Sequence, residues 1–144
     1  MDPTNALFND PSKLALDTGV PIMFTSTRNE SGYLIQANIA DPLGGYEPLY
    51  PSVVNSLINN QTQTGVILNS GFYPYIDGAD GIRIAAEILL TDAVWRCPTR
   101  SVATQLAAKG SKVYIGEWTR GISYTYNNKG YCTQPGVVCH GVSW

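Results

Sequence analysis

Val20-Pro-Ile-Met-Phe-Thr-Ser-Thr-Arg-Asn-Glu-Ser-Gly-Tyr33 is the stretch that decides the fold. Residues 20–26 form a short run, apolar enough for a strand buried as parallel strands usually are, and Pro21 sits near its start, where a lost N–H donor is tolerated. The run ends in a polar turn that carries Glu30. A second run, Lys112-Val-Tyr-Ile-Gly-Glu-Trp118, reads as another strand, and the segment between the two is helical in pattern. Two strands separated by helices predict an α/β chain in which they pair in parallel through a right-handed crossover. Ligand sites in open α/β sheets lie beyond the carboxyl ends of the strands. Glu30 follows one such end and His140 the other, so the two are expected to meet although 110 positions separate them.

Between the strands, a short helix is predicted over Pro51–Asn60, with Pro51 in the favoured first turn. Ile82, Ala85, Ala86, Leu89, Leu90, Ala93 and Val94 recur at steps of three and four and predict an apolar helical stripe through Trp95. Pro98 should end or kink that helix, which resumes over Thr99–Lys109 and stops at Gly110. Asp41–Gly45 and Asn69–Gly81 read as loops, and Thr119–Val138 has no sustained period, as expected of a loop that delivers a residue to a site. Tyr124, Tyr126 and Tyr131 in that loop are either an acyl- or sugar-binding wall or packing residues. No repeat or internal boundary divides residues 1–144, which read as one partial domain.

Glu30 and His140 carry the chemistry. A serine hydroxyl becomes a good nucleophile when an imidazole takes its proton, and the imidazole does so well when a carboxylate holds its other nitrogen in the correct tautomer. His140 is the sole histidine and Glu30 its candidate orienter. The competing reading of a lone histidine is a satisfied loop or core residue. A nucleophile elbow needs Gly-x-Ser-x-Gly on a strand-to-helix turn, and the chain holds none. Gly121-Ile-Ser-Tyr-Thr125 breaks the pattern at its last residue, and Gly141-Val-Ser-Trp144 has no helix behind it.

Five segments resemble, in order, those of the type-B carboxylesterase family: Gly19-Val-Pro-Ile-Met-Phe24, Asn29-Glu-Ser-Gly-Tyr33, Thr91-Asp-Ala-Val-Trp-Arg-Cys-Pro98, Lys112-Val-Tyr-Ile-Gly-Glu-Trp118 and Cys139-His-Gly141. The resemblance implies a partial α/β-hydrolase fold in which Glu30 is the triad acid and His140 the general base. No residue matches the family's nucleophile or its oxyanion-hole glycines. Ser31 stands where the family usually has glycine, and Val142 follows where it usually has an acidic residue. Since the nucleophile precedes the acid in that fold, the chain is expected to be the later part of an esterase, inactive alone. Its substrate would be a carboxylic ester once complete, and its partners the missing segments of the same fold. Two alternatives from other classes are a non-catalytic esterase-like adhesion, storage or binding protein and a small carbohydrate-binding module using the aromatic tail.

A net charge of −2, with nine basic residues and no cluster, provides no electrostatic footprint for nucleic acid or an anionic membrane. No run approaches the length of a membrane span, and Met1-Asp-Pro-Thr4 lacks the features of a secretion signal. Cys132-Thr-Gln-Pro-Gly-Val-Val-Cys139 encloses turn formers that favour a disulfide over two free thiols, and a similar short bridge before the histidine occurs in many members of the resembled family. The same resemblance leaves Cys97 as a buried free thiol in a helix. An oxidising, extracellular or secretory compartment follows for the full-length parent. Three cysteines and one histidine lack the paired spacing of a zinc site, so no metal or other cofactor is expected. Asn60-Gln-Thr62 is a possible glycosylation site, whereas a glycan on Asn29-Glu-Ser31 would obstruct Glu30.

Overall fold

A computed structural model of the chain describes residues 19–39, 46–121, 132 and 134–140. The expected loop at 41–45, Ser123, Tyr124, Tyr126 and Tyr131, and residues 141–144 lie outside the described residues. Strand β1 (Ile22–Thr27) pairs in parallel with β2 (Val113–Trp118), in register from Ile22 opposite Val113 to Thr27 opposite Trp118. Ile22 N–H to the Lys112 carbonyl, 2.8 Å, and Arg28 N–H to the Trp118 carbonyl, 3.0 Å, extend the ladder at both ends. The first strand thus starts two residues later than its apolar run. Val20 is more than half exposed and Pro21 offers no donor, so pairing begins at the first residue able to enter the ladder.

Helix α5 (Cys97–Ala108) covers one face of this sheet, leaving a cleft of about 230 Å³ lined by Ser26, Arg96, Thr99, Arg100, Ile115 and Glu117. The other face, with Met23, Tyr114 and Trp118, is open. The apolar run that predicts burial on two sides is therefore covered on one among the described residues.

Helix α4 (Gly81–Thr91) is the centre of the packing. Its Ile82, Ala85 and Leu89 form a core with Tyr50 and Val54 of α2 (Tyr50–Ile58), bordered by Ile67 and Leu68 of α3 (Gln61–Asn69) and by Tyr73, Tyr75 and Ile76. The Tyr50 hydroxyl donates to the Tyr73 carbonyl at 2.8 Å, and burial raises the Tyr50 phenol above its ordinary pKa. Helix α1 (Gly32–Asn38) follows the acid turn directly and rests on α4.

Local chemistry sets the helix boundaries. Asn59, with φ of 50°, closes α2 in the left-handed conformation that Asn tolerates, and Asn60 then caps α3, its Oδ1 accepting the Gln63 N–H at 3.0 Å. Neither α1 nor α3 belongs to the sequence expectation; the Asn60 cap with Gln63 three residues on is the signal that marks α3. The stripe expected through Trp95 holds only to Thr91. Asp92–Arg96 form a π-helical turn, which shifts the phase of the side chains and leaves Val94 half exposed. A wide turn frees the carbonyls that would clash with the Pro98 ring, and helical backbone resumes at once in α5. Cys97, expected to be buried, is instead exposed on the first turn of α5, because the phase shift turns it away from the core. Among the described residues no helix is long and apolar enough to cross a membrane.

Gly81 lets the 70–80 loop close on α4. A Cβ there would lie 1.7 Å from the Ile76 carbonyl oxygen and 2.7 Å from its carbon, both fixed backbone. Gly81→Ala should lower stability by about 2–3 kcal/mol through overpacking. Gly65→Ala, in α3 with nothing within 4 Å of the added carbon, should raise it by about 0.5–1 kcal/mol. Urea unfolding midpoints of the two variants, at unchanged slope, provide the comparison.

Candidate active site

The acid turn begins where β1 ends. Thr27, the last strand residue, is buried, and its N–H donates to Glu30 Oε1 three residues on, so the carboxylate folds back over the strand terminus. Glu30 Oε2 lies 2.7 Å from Nδ1 of His140. The carboxylate side chain is 7% exposed and the imidazole 71%. One oxygen of the acid is thus held by backbone, the other by the histidine, and the far edge of the imidazole faces outward. Among the described residues nothing is hydrogen-bonded to Nε2, and none supplies a nucleophile for it.

The segment bearing His140 is tied to the acid turn by paired bonds. Asn29 N–H donates to the Val138 carbonyl at 3.0 Å, and the Val138 N–H donates to Asn29 Oδ1 at 2.8 Å. Asn29 and Cys139 form an isolated parallel bridge. Cys132 and Cys139 are disulfide-bonded, and with Val138 they form a small apolar cluster against Ile84 of α4 and Val137. Gln36 of α1 accepts the Cys132 N–H at 3.3 Å, and Gln134 donates to Asp80 at 3.0 Å, so the start of the disulfide loop is moored to α1 and to the residue before α4.

The other side of the acid turn is held by side chains that the sequence reading did not single out. Arg96, in the π-helical turn, donates to the Arg28 carbonyl at 2.7 Å, to Glu117 of β2 at 2.8 Å and to Asp92 at 3.0 Å. Burial alone would lower the Arg96 pKa, but its bonds to Asp92 and Glu117 outweigh this and hold it above the ordinary value. Asn29 Nδ2 donates to Glu87 Oε2 at 2.9 Å, Thr91 Oγ1 donates to Glu87 Oε1 at 2.7 Å, and Ser31 N–H donates to Thr91 Oγ1 at 3.1 Å. The only sequence signal for Glu87 and Thr91 is their spacing of four on one helix face. Arg96 owes its position to the π-helical phase shift, which no periodicity announces.

The remaining candidates fall as follows. Asn60 is exposed and caps α3 through Oδ1, which leaves Nδ2 for a glycan. Asn29 is unsuited to one, because its Nδ2 is committed to Glu87 and Ser31 is fully buried. Among the described residues no group of three His, Cys, Asp or Glu side chains is placed to hold a metal. Chemically, the arrangement is an imidazole with one ring nitrogen held against a buried carboxylate and the other open. No family model, curated protein or solved structure matches the chain.

With the imidazole neutral, a carboxylate at Nδ1 selects the Nδ1–H tautomer. Because the chain has one histidine, a long-range ¹H–¹⁵N spectrum in mildly alkaline buffer reads that tautomer without assignment. Nδ1–H should dominate in the native chain and give way to Nε2–H in Glu30→Ala. Replacing Cys132 and Cys139 with serine should cost about 2–3 kcal/mol, the closure term for so small a loop, and loosen the same tautomer preference. Thermal unfolding with the spectrum repeated would check both effects.

Proposed function

We propose that this chain supplies the acid and base of a serine carboxylic-ester hydrolase, with a partial α/β-hydrolase fold and a nucleophile contributed by another segment of the same fold. One observation carries the reading: a buried Glu30 carboxylate and an outward-facing His140 imidazole, 2.7 Å apart, at the carboxyl ends of two adjacent parallel strands. That is where such sheets place their sites, and it is the geometry a base–orienter pair needs.

The chemistry then runs through His140 Nε2. As a serine Oγ attacks the ester carbonyl carbon, Nε2 takes the hydroxyl proton, and Glu30 stabilises the imidazolium through Nδ1–H without itself becoming protonated. Nε2 returns the proton to the departing alkoxide, which leaves as the alcohol, and the acyl group stays on serine. Water repeats the sequence: Nε2 removes its proton, the hydroxide attacks the acyl carbon, and the serine oxygen leaves with that proton. The open face of the sheet, with Met23, Tyr114 and Trp118, is where the rest of such a fold would pack. The disulfide supports an oxidising compartment for the parent protein.

The purified chain is expected to hydrolyse a short-chain p-nitrophenyl ester no faster than its His140→Ala variant. The parent polypeptide should carry a Gly-x-Ser-x-Gly elbow after a strand, and His140→Ala within it should cut kcat on the order of 10⁶-fold. Turnover by the chain alone that vanishes in the variant would mean a nucleophile within it. A parent that lacks the elbow would defeat the esterase reading in favour of a non-catalytic binding protein.

A further inference from the structure

Glu87 has no part in the proton transfers above, yet it is 1% exposed on α4, whose residues are mostly buried, beside Ala85, Ala86 and Leu89. An ionised carboxylate in such a place costs several kcal/mol unless hydrogen bonds replace its lost water. It accepts from Asn29 Nδ2 at 2.9 Å and from Thr91 Oγ1 at 2.7 Å. Those bonds lead to the two residues that flank the triad-type acid: Asn29 directly, and Ser31 through the Thr91 hydroxyl, which accepts the Ser31 N–H at 3.1 Å.

We propose that Glu87 is a positioning residue that sets the polarity of the Asn29 amide and thereby seats His140 against Glu30. This inference rests on the base–orienter reading and deepens it. A carboxylate can only accept, so Asn29 must turn its NH₂ toward Glu87 and its Oδ1 the other way. Oδ1 then meets the Val138 N–H at 2.8 Å, while the Asn29 N–H meets the Val138 carbonyl at 3.0 Å. Both polar backbone groups of Val138 are thus fixed two residues before His140. With the amide reversed, an NH₂ group would face the Val138 N–H, donor against donor, and a carbonyl would face the carboxylate. The other Glu87 oxygen orients Thr91: the Thr91 hydroxyl donates to it, which leaves a lone pair for the Ser31 N–H. The two oxygens of Glu87, as acceptors, therefore set the direction of hydrogen bonds on both sides of Glu30.

The direction can be inverted without altering the shape. Asn29→Asp alone sets two carboxylates in contact and removes the donor, which repulsion should force apart. Adding Glu87→Gln restores a donor–acceptor pair of opposite sense. The amide NH₂ introduced at position 87 donates to the carboxylate introduced at position 29, and the amide carbonyl still accepts from Thr91. The second oxygen of that new carboxylate still accepts from the Val138 N–H. The experiment measures the His140 tautomer in the full chain by ¹H–¹⁵N NMR, with thermal unfolding alongside. The Nδ1–H fraction should fall about threefold or more in Asn29→Asp and return to the native level in the double variant. A native tautomer in folded Asn29→Asp overturns the proposal, whatever happens to its unfolding temperature, because Glu87 would then be a structural fastener only. Should Asn29→Asp not fold, the double variant decides: it must fold with Nδ1–H dominant, and either failure overturns the proposal. A native chain without Nδ1–H sinks the base–orienter reading and this inference together. Absence of esterase activity in a complete parent protein, with the tautomer pattern intact, sinks the ester-hydrolase reading and leaves the positioning of His140 through Glu87 standing.

Discussion

The parallel pairing of β1 with β2 is the constraint from which the rest of the structure follows. Six residue pairs in register, from Ile22 with Val113 to Thr27 with Trp118, fix the carboxyl ends of two distant segments side by side. Parallel strands cannot be joined by a tight turn, so the chain between them must make a covered crossover. Here the crossover is α1 through α5: α5 lies on the sheet, and the packing of the other helices centres on α4. That helix presents Ile82, Ala85 and Leu89 to the apolar core, Ile84 to the disulfide cluster, and Glu87 with Thr91 to the acid turn.

The acid turn shows how backbone polarity is managed where a strand stops. Thr27, Arg28, Asn29 and Ser31 each have an N–H group with a named acceptor: Glu30, Trp118, Val138 and Thr91. The Arg28 carbonyl is taken by Arg96. A buried turn left with unpaired groups would cost a free-energy penalty for each. Satisfying them through side chains from α4 and the π-helical turn also removes the turn's freedom, and a rigid turn is what an orienting carboxylate requires. The histidine segment is held by the Asn29–Val138 bonds, the disulfide and the packing of Val138 and Cys139 against Ile84, while the imidazole stays exposed.

The open sheet face has the opposite character. Met23, Tyr114 and Trp118 are 66%, 57% and 49% exposed on a two-stranded sheet with unpaired outer edges among the described residues. Edges and apolar faces of this kind favour further strand pairing or association. Both features agree with a sheet that is one part of a larger layer, as the proposed function supposes.

Reading the sequence alone, the two strands, the central helix and the pair Glu30 and His140 were all accessible, because each depends on local pattern or on a rare residue type. A short apolar run ending in a polar turn is a local strand signal, here good to within two residues, and a single histidine has no rival. The disulfide was legible for the same reason, since turn formers within a short loop are local. Tertiary structure alone decided the phase after Thr91, because relief of the Pro98 clash by a π-helical turn depends on how both helix segments pack; Val94 and Cys97 were therefore exposed against expectation. It also decided α1 and the role of Glu87. Off the apolar stripe, a glutamate reads as a solvated helix position, and only the approach of Asn29, 58 residues earlier, makes it a buried acceptor. Sequence determines which groups need a partner; which partner they meet depends on contacts between residues far apart in the chain, and local periodicity carries no record of those.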